Sequence, residues 1–98
     1  MKPKISECPV TMTATILSDI WTILIMYSLL DKPMRFCDLE RDLDGISTRT
    51  LTNKLKIIEK EKLVIKGDDG FYHPTEKGKG LKSVHKAMRT YAEKYLVA

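Results

Sequence analysis

The residue types that catalytic and metal sites draw on are scarce in this sequence. Only two of its 98 residues are cysteine and two are histidine. Cys8 and Cys37 are too few and too far apart for a zinc site or a disulfide framework. His73 and His85 have no nucleophile or metal-ligand spacing beside them. An enzyme, a resident metal and a cofactor are therefore all unexpected. Five glycines and four prolines make no linker or low-complexity tract, and Gly67 and Gly70 frame a hairpin tip, not a phosphate-binding loop. The apolar run Ile20–Leu30 is too short for a membrane span and directly follows Asp19. The lysine-containing start has no signal-peptide cleavage pattern, so the expected location is the cytoplasm, with no membrane partner.

What is present is a globular composition, 43% hydrophobic and 31% charged. The length predicts a single domain over residues 1–98. Such a chain buries roughly two-thirds of its unfolded surface, so it folds alone yet gains from a partner. The net charge of +4 is unevenly spread. Residues 1–44 carry five basic and seven acidic side chains; residues 46–66 carry six and two, and residues 75–98 repeat that ratio. Positive charge gathered in two segments suits a phosphate backbone, although a solvated helix face would look the same.

Along the chain, residues 1–10 read as an extended arm, with Pro3 and Pro9 excluding regular helix, and a helix can begin within Thr11–Ser18. Asp19–Leu30 is apolar on nearly every side and predicts a buried central helix stopped by Asp31-Lys32-Pro33. Met34-Arg35-Phe36 is a short extended piece. A helix follows over about Cys37–Leu43, then a tight turn at Asp44-Gly45-Ile46, then a helix capped by Ser47 and running to about Lys60. Leu63–Lys66 and Phe71–His73 predict a hairpin over Gly67-Asp68-Asp69-Gly70. From the cap Thr75, one long helix is expected almost to the C-terminus. The predicted fold class is mainly α (α+β): a winged helix-turn-helix with its helix-turn-helix at 35–60, a short two-stranded wing at 62–74 and a helix at 75–96.

The helix after Ser47 carries the functional signal. Leu51, Leu55 and Ile58 fall on one stripe that must face the core, which turns Arg49, Asn53, Lys56 and Lys60 outward, flanked by Thr48 and Thr52. Arginine matches a guanine edge, asparagine an adenine edge, and threonine a thymine methyl or a phosphate. Lys56 and Lys60 supply charge to the backbone, and Ser47 with its neighbouring N–H groups can hold a phosphate. An ordinary polar helix face would be rich in Glu–Lys pairs, whereas here no acid appears before Glu59. On the last helix, Leu81, Val84, Met88, Tyr91 and Tyr95 recur at spacings of three and four, the narrow seam of a coiled-coil-like contact. It either packs within its own chain or pairs with a second copy. A two-fold homodimer would set two recognition helices about 34 Å apart along double-stranded DNA.

Several pieces occur together in one register: Cys8-Pro9-Val10, Trp21-Thr22-Ile23-Leu24-Ile25, Arg35-Phe36 with Leu39, and Gly45-Ile46-Ser47 with Leu51-Thr52. They continue through Leu55, Glu59, Leu63-Val64 and Tyr72 to Thr75-Glu76-Lys77-Gly78. In this the sequence resembles the HxlR-type winged helix regulators of bacteria and archaea. The resemblance implies a sequence-specific transcriptional repressor or activator, dimerising through its N- and C-terminal helices, and a cysteine at the place of Cys8 that senses oxidants or electrophiles in some members. Three departures stand out. The wing is short and acidic where the family has a longer one with Arg and Pro, so its tip repels phosphate. Asp19-Ile20 replaces a common Gly-Lys pair. Cys37 stands where Ser is common; a Ser there would form a capping box with Glu40. Should Cys37 cap that helix, the N–H groups would lower its thiol pKa, making it a second redox candidate; two inert thiols are the plainer alternative. The competing function is a winged helix that binds protein and not DNA, which the acidic wing tip favours.

Overall fold

The structure is a computed structural model and describes residues 7–98. Its elements run α1 (Pro9–Ile16), α2 (Ile20–Asp31), β1 (Met34–Arg35), α3 (Phe36–Asp42), α4 (Thr48–Lys60), β2 (Val64–Lys66), β3 (Phe71–Pro74), α5 (Glu76–Lys79) and α6 (Lys82–Tyr95). The core is built from α2 (Ile25, Met26, Leu29), α3 (Leu39), α4 (Leu51, Leu55, Ile58) and the start of the wing (Leu63, Val64), each at most 1% exposed. Fully burying one such side chain contributes roughly 1.5–3 kcal/mol, so α4 is held to the core by its single apolar stripe. Among the described residues no single helix is long and apolar enough to cross a membrane.

Residues 1–6 of the expected N-terminal arm lie outside the described residues. The rest of that arm is not extended to its end, since α1 starts at Pro9 with Cys8 as its N-cap. Proline at the first helical position forfeits no hydrogen bond and is already set to the helical φ, so Pro9 opens a helix that the sequence reading took it to exclude. Helices α1 and α2 meet at an 84° bend. At that corner Asp19 accepts the Thr22 backbone N–H at 3.0 Å and the Thr22 hydroxyl at 3.1 Å. The ammonium of Lys54, midway along α4, reaches the same carboxylate at 3.0 Å. Partial burial pushes the Asp19 pKa up, but the Thr22 N–H, the Lys54 ammonium and the Thr22 hydroxyl together hold it below the ordinary aspartate value.

A depressed folded-state pKa means stability that is complete above the unfolded aspartate range, near pH 4, and is lost as pH falls through the lower folded value. Asp19→Asn keeps a capping oxygen and removes only the charge. Urea unfolding at pH 7 and pH 3 should therefore show a variant about 1 kcal/mol less stable than the parent at pH 7, with the gap closing at pH 3. A gap that persists in acid would show that the cap geometry, and not the charge, matters.

The small sheet has three strands where two were expected. Its order is β1-β3-β2 and both pairings are antiparallel, with Met34 opposite Tyr72, Arg35 opposite Phe71 and Ile65 opposite His73. The extended piece before α3 is thus one of the two edge strands, with β3 in the middle. Gly45 (φ 90°) turns the chain between α3 and α4, and Gly70 (φ 83°) closes the hairpin; both need the left-handed region that glycine enters without steric cost.

The expected single helix from Thr75 is two helices. Thr75 caps α5 by accepting the Gly78 N–H at 3.1 Å, and α6 starts anew after Leu81. At the break the Leu81 N–H returns to the Gly78 carbonyl at 3.0 Å, and Gly78 packs so tightly that an added Cβ would sit 2.1 Å from the Leu63 carbonyl oxygen. His85 then ties α6 to the central helix, its ring nitrogens lying 2.9 Å from the Leu81 carbonyl oxygen and 3.2 Å from that of Ile23.

Candidate nucleic-acid interface

Helix α4 begins where Ser47 leaves the extended conformation (φ −78°, ψ 153°) and its hydroxyl oxygen accepts the Thr50 N–H at 3.0 Å. It ends with Lys62 in the left-handed region at φ 61°. There the Lys62 N–H donates to the Glu59 carbonyl and the Leu63 N–H to that of Ile58, each at 2.9 Å, the paired bonds of a Schellman ending. Between these stops the stripe Leu51/Leu55/Ile58 is buried and Arg49, Asn53, Lys56 and Lys60 are exposed, as the spacing predicts. Arg49 and Asn53 sit four residues apart near the N-terminal end, on one side of a helix whose first N–H groups are otherwise available to an anion.

The threonines are less available than the sequence suggests. The Thr48 hydroxyl donates to the Glu40 carboxylate, clasping α3 to α4. Half-buried Thr52 donates its hydroxyl back to the Thr48 carbonyl at 2.8 Å. Glu40 therefore brings an acid beside a face that looks free of acids in sequence, because the acid comes from the neighbouring helix. Two basic side chains missed by the sequence reading stand on the sheet: the Arg35 guanidinium lies 4.8 Å above the Phe71 ring and the Lys66 ammonium 5.7 Å from that of Tyr72. Lys66 and Tyr72 lie in consecutive strands, whereas only the β1–β3 pairing reveals the Arg35–Phe71 contact.

At the wing tip Asp68 and Asp69 are exposed. Asp69 is an acceptor for the hairpin itself, taking the Phe71 N–H at 2.9 Å, with His73 Nε2 at 3.4 Å from its other oxygen. The Phe71 hydrogen bond, aided by His73, outweighs the small opposing effect of desolvation and holds the Asp69 pKa below its usual value. The acid at the tip thus has a local structural role.

The cysteines exchange the places expected of them. Cys37 does not cap α3: Arg35 occupies the N-cap, its N–H donates to Asp38 at 3.4 Å, and Cys37 lies exposed within the first turn. The capping partner is Asp38 and not Glu40, since α3 starts two residues earlier than a Cys37 cap requires. Cys8, in contrast, is the N-cap of α1. The Thr11 and Val10 N–H groups there favour its thiolate and lower its pKa from the ordinary thiol value.

The C-terminal seam divides. Leu81 is buried in the chain's own core and Val84 packs half-buried against it, so these two are intrachain contacts. Met88, Tyr91 (58% exposed) and Tyr95 (62%) face outward. Val10 (76%) and Met12 (56%) of α1 add further exposed apolar surface. Among the described residues no group of three or more His, Cys, Asp or Glu side chains is placed to hold a metal ion.

Comparison with known proteins gives this geometry a context. A profile of the HxlR-like helix-turn-helix matches residues 16–98. The HTH-type transcriptional regulator YodB of Bacillus subtilis (strain 168) is 30% identical over 95 residues, which span 90% of this chain and 85% of YodB. The crystal structure of quinone-bound YodB from B. subtilis superposes with a TM-score of 0.82 at 30% identity, over 90% of this chain and 99% of that one. The redox regulator HypR in its oxidised form is similar at 25% identity and a TM-score of 0.75, over 93% of this chain and 100% of the other. These relatives are regulators, and nothing in them favours the protein-binding alternative. An outward-facing α4 on a winged scaffold, matched over most of its length, makes this chain a member of the HxlR-like helix-turn-helix family of DNA-binding transcriptional regulators.

Proposed function

We propose that the protein binds an operator as a cytoplasmic homodimer, laying one α4 from each subunit in the major groove. Arg49 and Asn53 read base edges, with Thr48 and Thr52 beside them, while Ser47, Lys56 and Lys60 meet phosphates. The observation that carries this reading is the exposed Arg49/Asn53/Lys56/Lys60 face set opposite a fully buried stripe on the same helix. A rigid helix with fixed outward cations is what groove recognition requires. The subunits pair through Met88, Tyr91 and Tyr95 of α6 and the apolar surface of α1, with Leu81 and Val84 supporting the seam from beneath.

We further propose that Cys8 makes binding oxidant-responsive. Its thiolate is favoured by the α1 N-terminus, and α1 lies at the dimerising surface, so a change at Cys8 acts on the distance between recognition helices. Similarity to YodB and HypR supports this assignment. Cys37, exposed and away from a helix cap, is the weaker candidate.

One experiment tests both parts: fluorescence anisotropy of the purified protein on DNA from upstream of its own gene, against excess random duplex at two salt concentrations. Binding that survives the competitor and weakens steeply with salt is the expected result, since phosphate contacts release counterions. Loss of binding to random duplex would refute operator reading. Repeated after a mild thiol oxidant, the affinity should change in the parent and in Cys37→Ser but not in Cys8→Ser; an unchanged response in Cys8→Ser would remove Cys8 from the mechanism.

A further inference from the structure

Between α6 and α3 runs a groove of about 1160 Å³, slightly above the range of about 300–1,000 Å³ that holds most small ligands. Its aromatic and apolar lining includes Tyr27, Pro33 and Phe71. One bank is α6, which presents Lys82, Lys86 and Arg89, spaced by four and three residues and hence on one face. Among the described residues none of these three cations is within salt-bridge distance of a carboxylate. The Arg89 guanidinium instead donates to the Tyr27 hydroxyl, with its centre 5.4 Å from the Tyr27 ring, so a positive charge is already fixed over the aromatic lining. On the opposite bank Asp38 pairs with Arg41 and Asp42 accepts the Ser28 hydroxyl at 2.5 Å. The lining as a whole carries three carboxylates, Asp31, Asp38 and Asp42, against five cations, Lys32, Arg41, Lys82, Lys86 and Arg89, so its net charge is positive.

We propose that this groove binds a small aromatic carboxylate. The carboxylate takes charge-assisted hydrogen bonds from Lys86 and Arg89, and the ring packs on Tyr27 and Phe71 in the offset or edge-on arrangements that aromatic pairs prefer. At about 100° per residue, Lys82, Lys86 and Arg89 lie well around α6 from Met88, Tyr91 and Tyr95. A second subunit on that seam leaves the groove open. The bound molecule would touch the C-terminal helix α6, the central helix α2 and strand β3 of the wing. The site is separate from the α4 face and from Cys8, so its test does not depend on operator binding.

The test is isothermal titration of the full chain with benzoate, with benzamide as the neutral isostere and acetate as the anion without a ring. Benzoate should bind saturably, one per chain, and shift the ring resonances of Tyr27 and Phe71. Benzamide and acetate should each bind at least about tenfold more weakly, as expected on losing a charge-assisted contact or the ring packing. Lys86→Gln and Arg89→Gln, both exposed positions, should each weaken benzoate about tenfold with thermal melting unchanged. Absence of saturable benzoate binding, equal binding of benzamide, or indifference to both substitutions would overturn the proposal.

Discussion

Replacing Arg49 and Asn53 by alanine is expected to erase the preference for an operator over random duplex while leaving the fold intact. Each bidentate base contact discriminates by about 1–3 kcal/mol, so each single variant should lose roughly 5- to 150-fold in specific affinity. The double variant should approach the affinity for random DNA. Both side chains are exposed and have no hydrogen-bond partner among the described residues, so stability should stay within about 0.5 kcal/mol of the parent. Lys56→Ala should behave differently, weakening all duplexes alike and reducing the salt slope by about one. Competition anisotropy with all three variants separates the roles. Specific binding retained by the Arg49/Asn53 double variant would mean that α4 does not read the bases.

The second large effect falls far from the DNA. Gly78→Ala should destabilise the fold by about 3 kcal/mol or more, a serious loss for a domain whose whole stability is about 5–15 kcal/mol. The added Cβ would stand 2.1 Å from the Leu63 carbonyl oxygen, and that oxygen cannot retreat. It accepts the Thr75 N–H at 3.0 Å, while the Leu63 N–H is bonded to Ile58 at the end of α4. A thermal melt should fall by roughly 12 °C or more. Gly80→Ala supplies the contrast: its Cβ would meet the Lys77 carbonyl oxygen at 3.3 Å, close but not a clash, its φ is −60°, and the roughly 0.4–1 kcal/mol gained from fewer unfolded conformations offsets that crowding, so the change should be close to neutral. Helix propensity alone would give both substitutions the same sign. A Gly78→Ala protein as stable as the parent would show that α5 is free to shift.

What was legible in the sequence follows from the range of the interactions involved. The α4 stripe, its Ser47 cap and the Gly45 and Gly70 turns depend on neighbours within a few residues, so spacing and residue type reveal them. Strand β1 has only two residues and exists because it pairs with β3, some 37 positions later; no local period can announce it. The break after α5 had a local hint in Gly78-Lys79-Gly80, whereas the close approach of Gly78 to Leu63 joins residues 15 positions apart and has no local signal. Pro9 was misread because proline excludes the interior of a helix and welcomes its first position. Cys37 was misread as a cap because the N-cap lies two residues earlier, at Arg35, which moves the Cys37 side chain into the first turn. At the site, Arg49, Asn53, Lys56 and Lys60 were legible from the buried stripe opposite them. The engagement of Thr48 by Glu40 and of Lys54 by Asp19 was not, because each joins two helices that the sequence presents separately.

The Asp19–Lys54 pair has a mechanical consequence. It meets α4 at its seventh residue of thirteen, the midpoint of a rod about 20 Å long. A force arriving from the α1–α2 corner through that point has no lever arm along the helix. It slides or rolls the rod and does not tip it, so Arg49 at one end and Lys60 at the other move in the same direction. A disturbance entering at α1 would then change how deeply the helix seats while leaving its tilt across the groove unaltered.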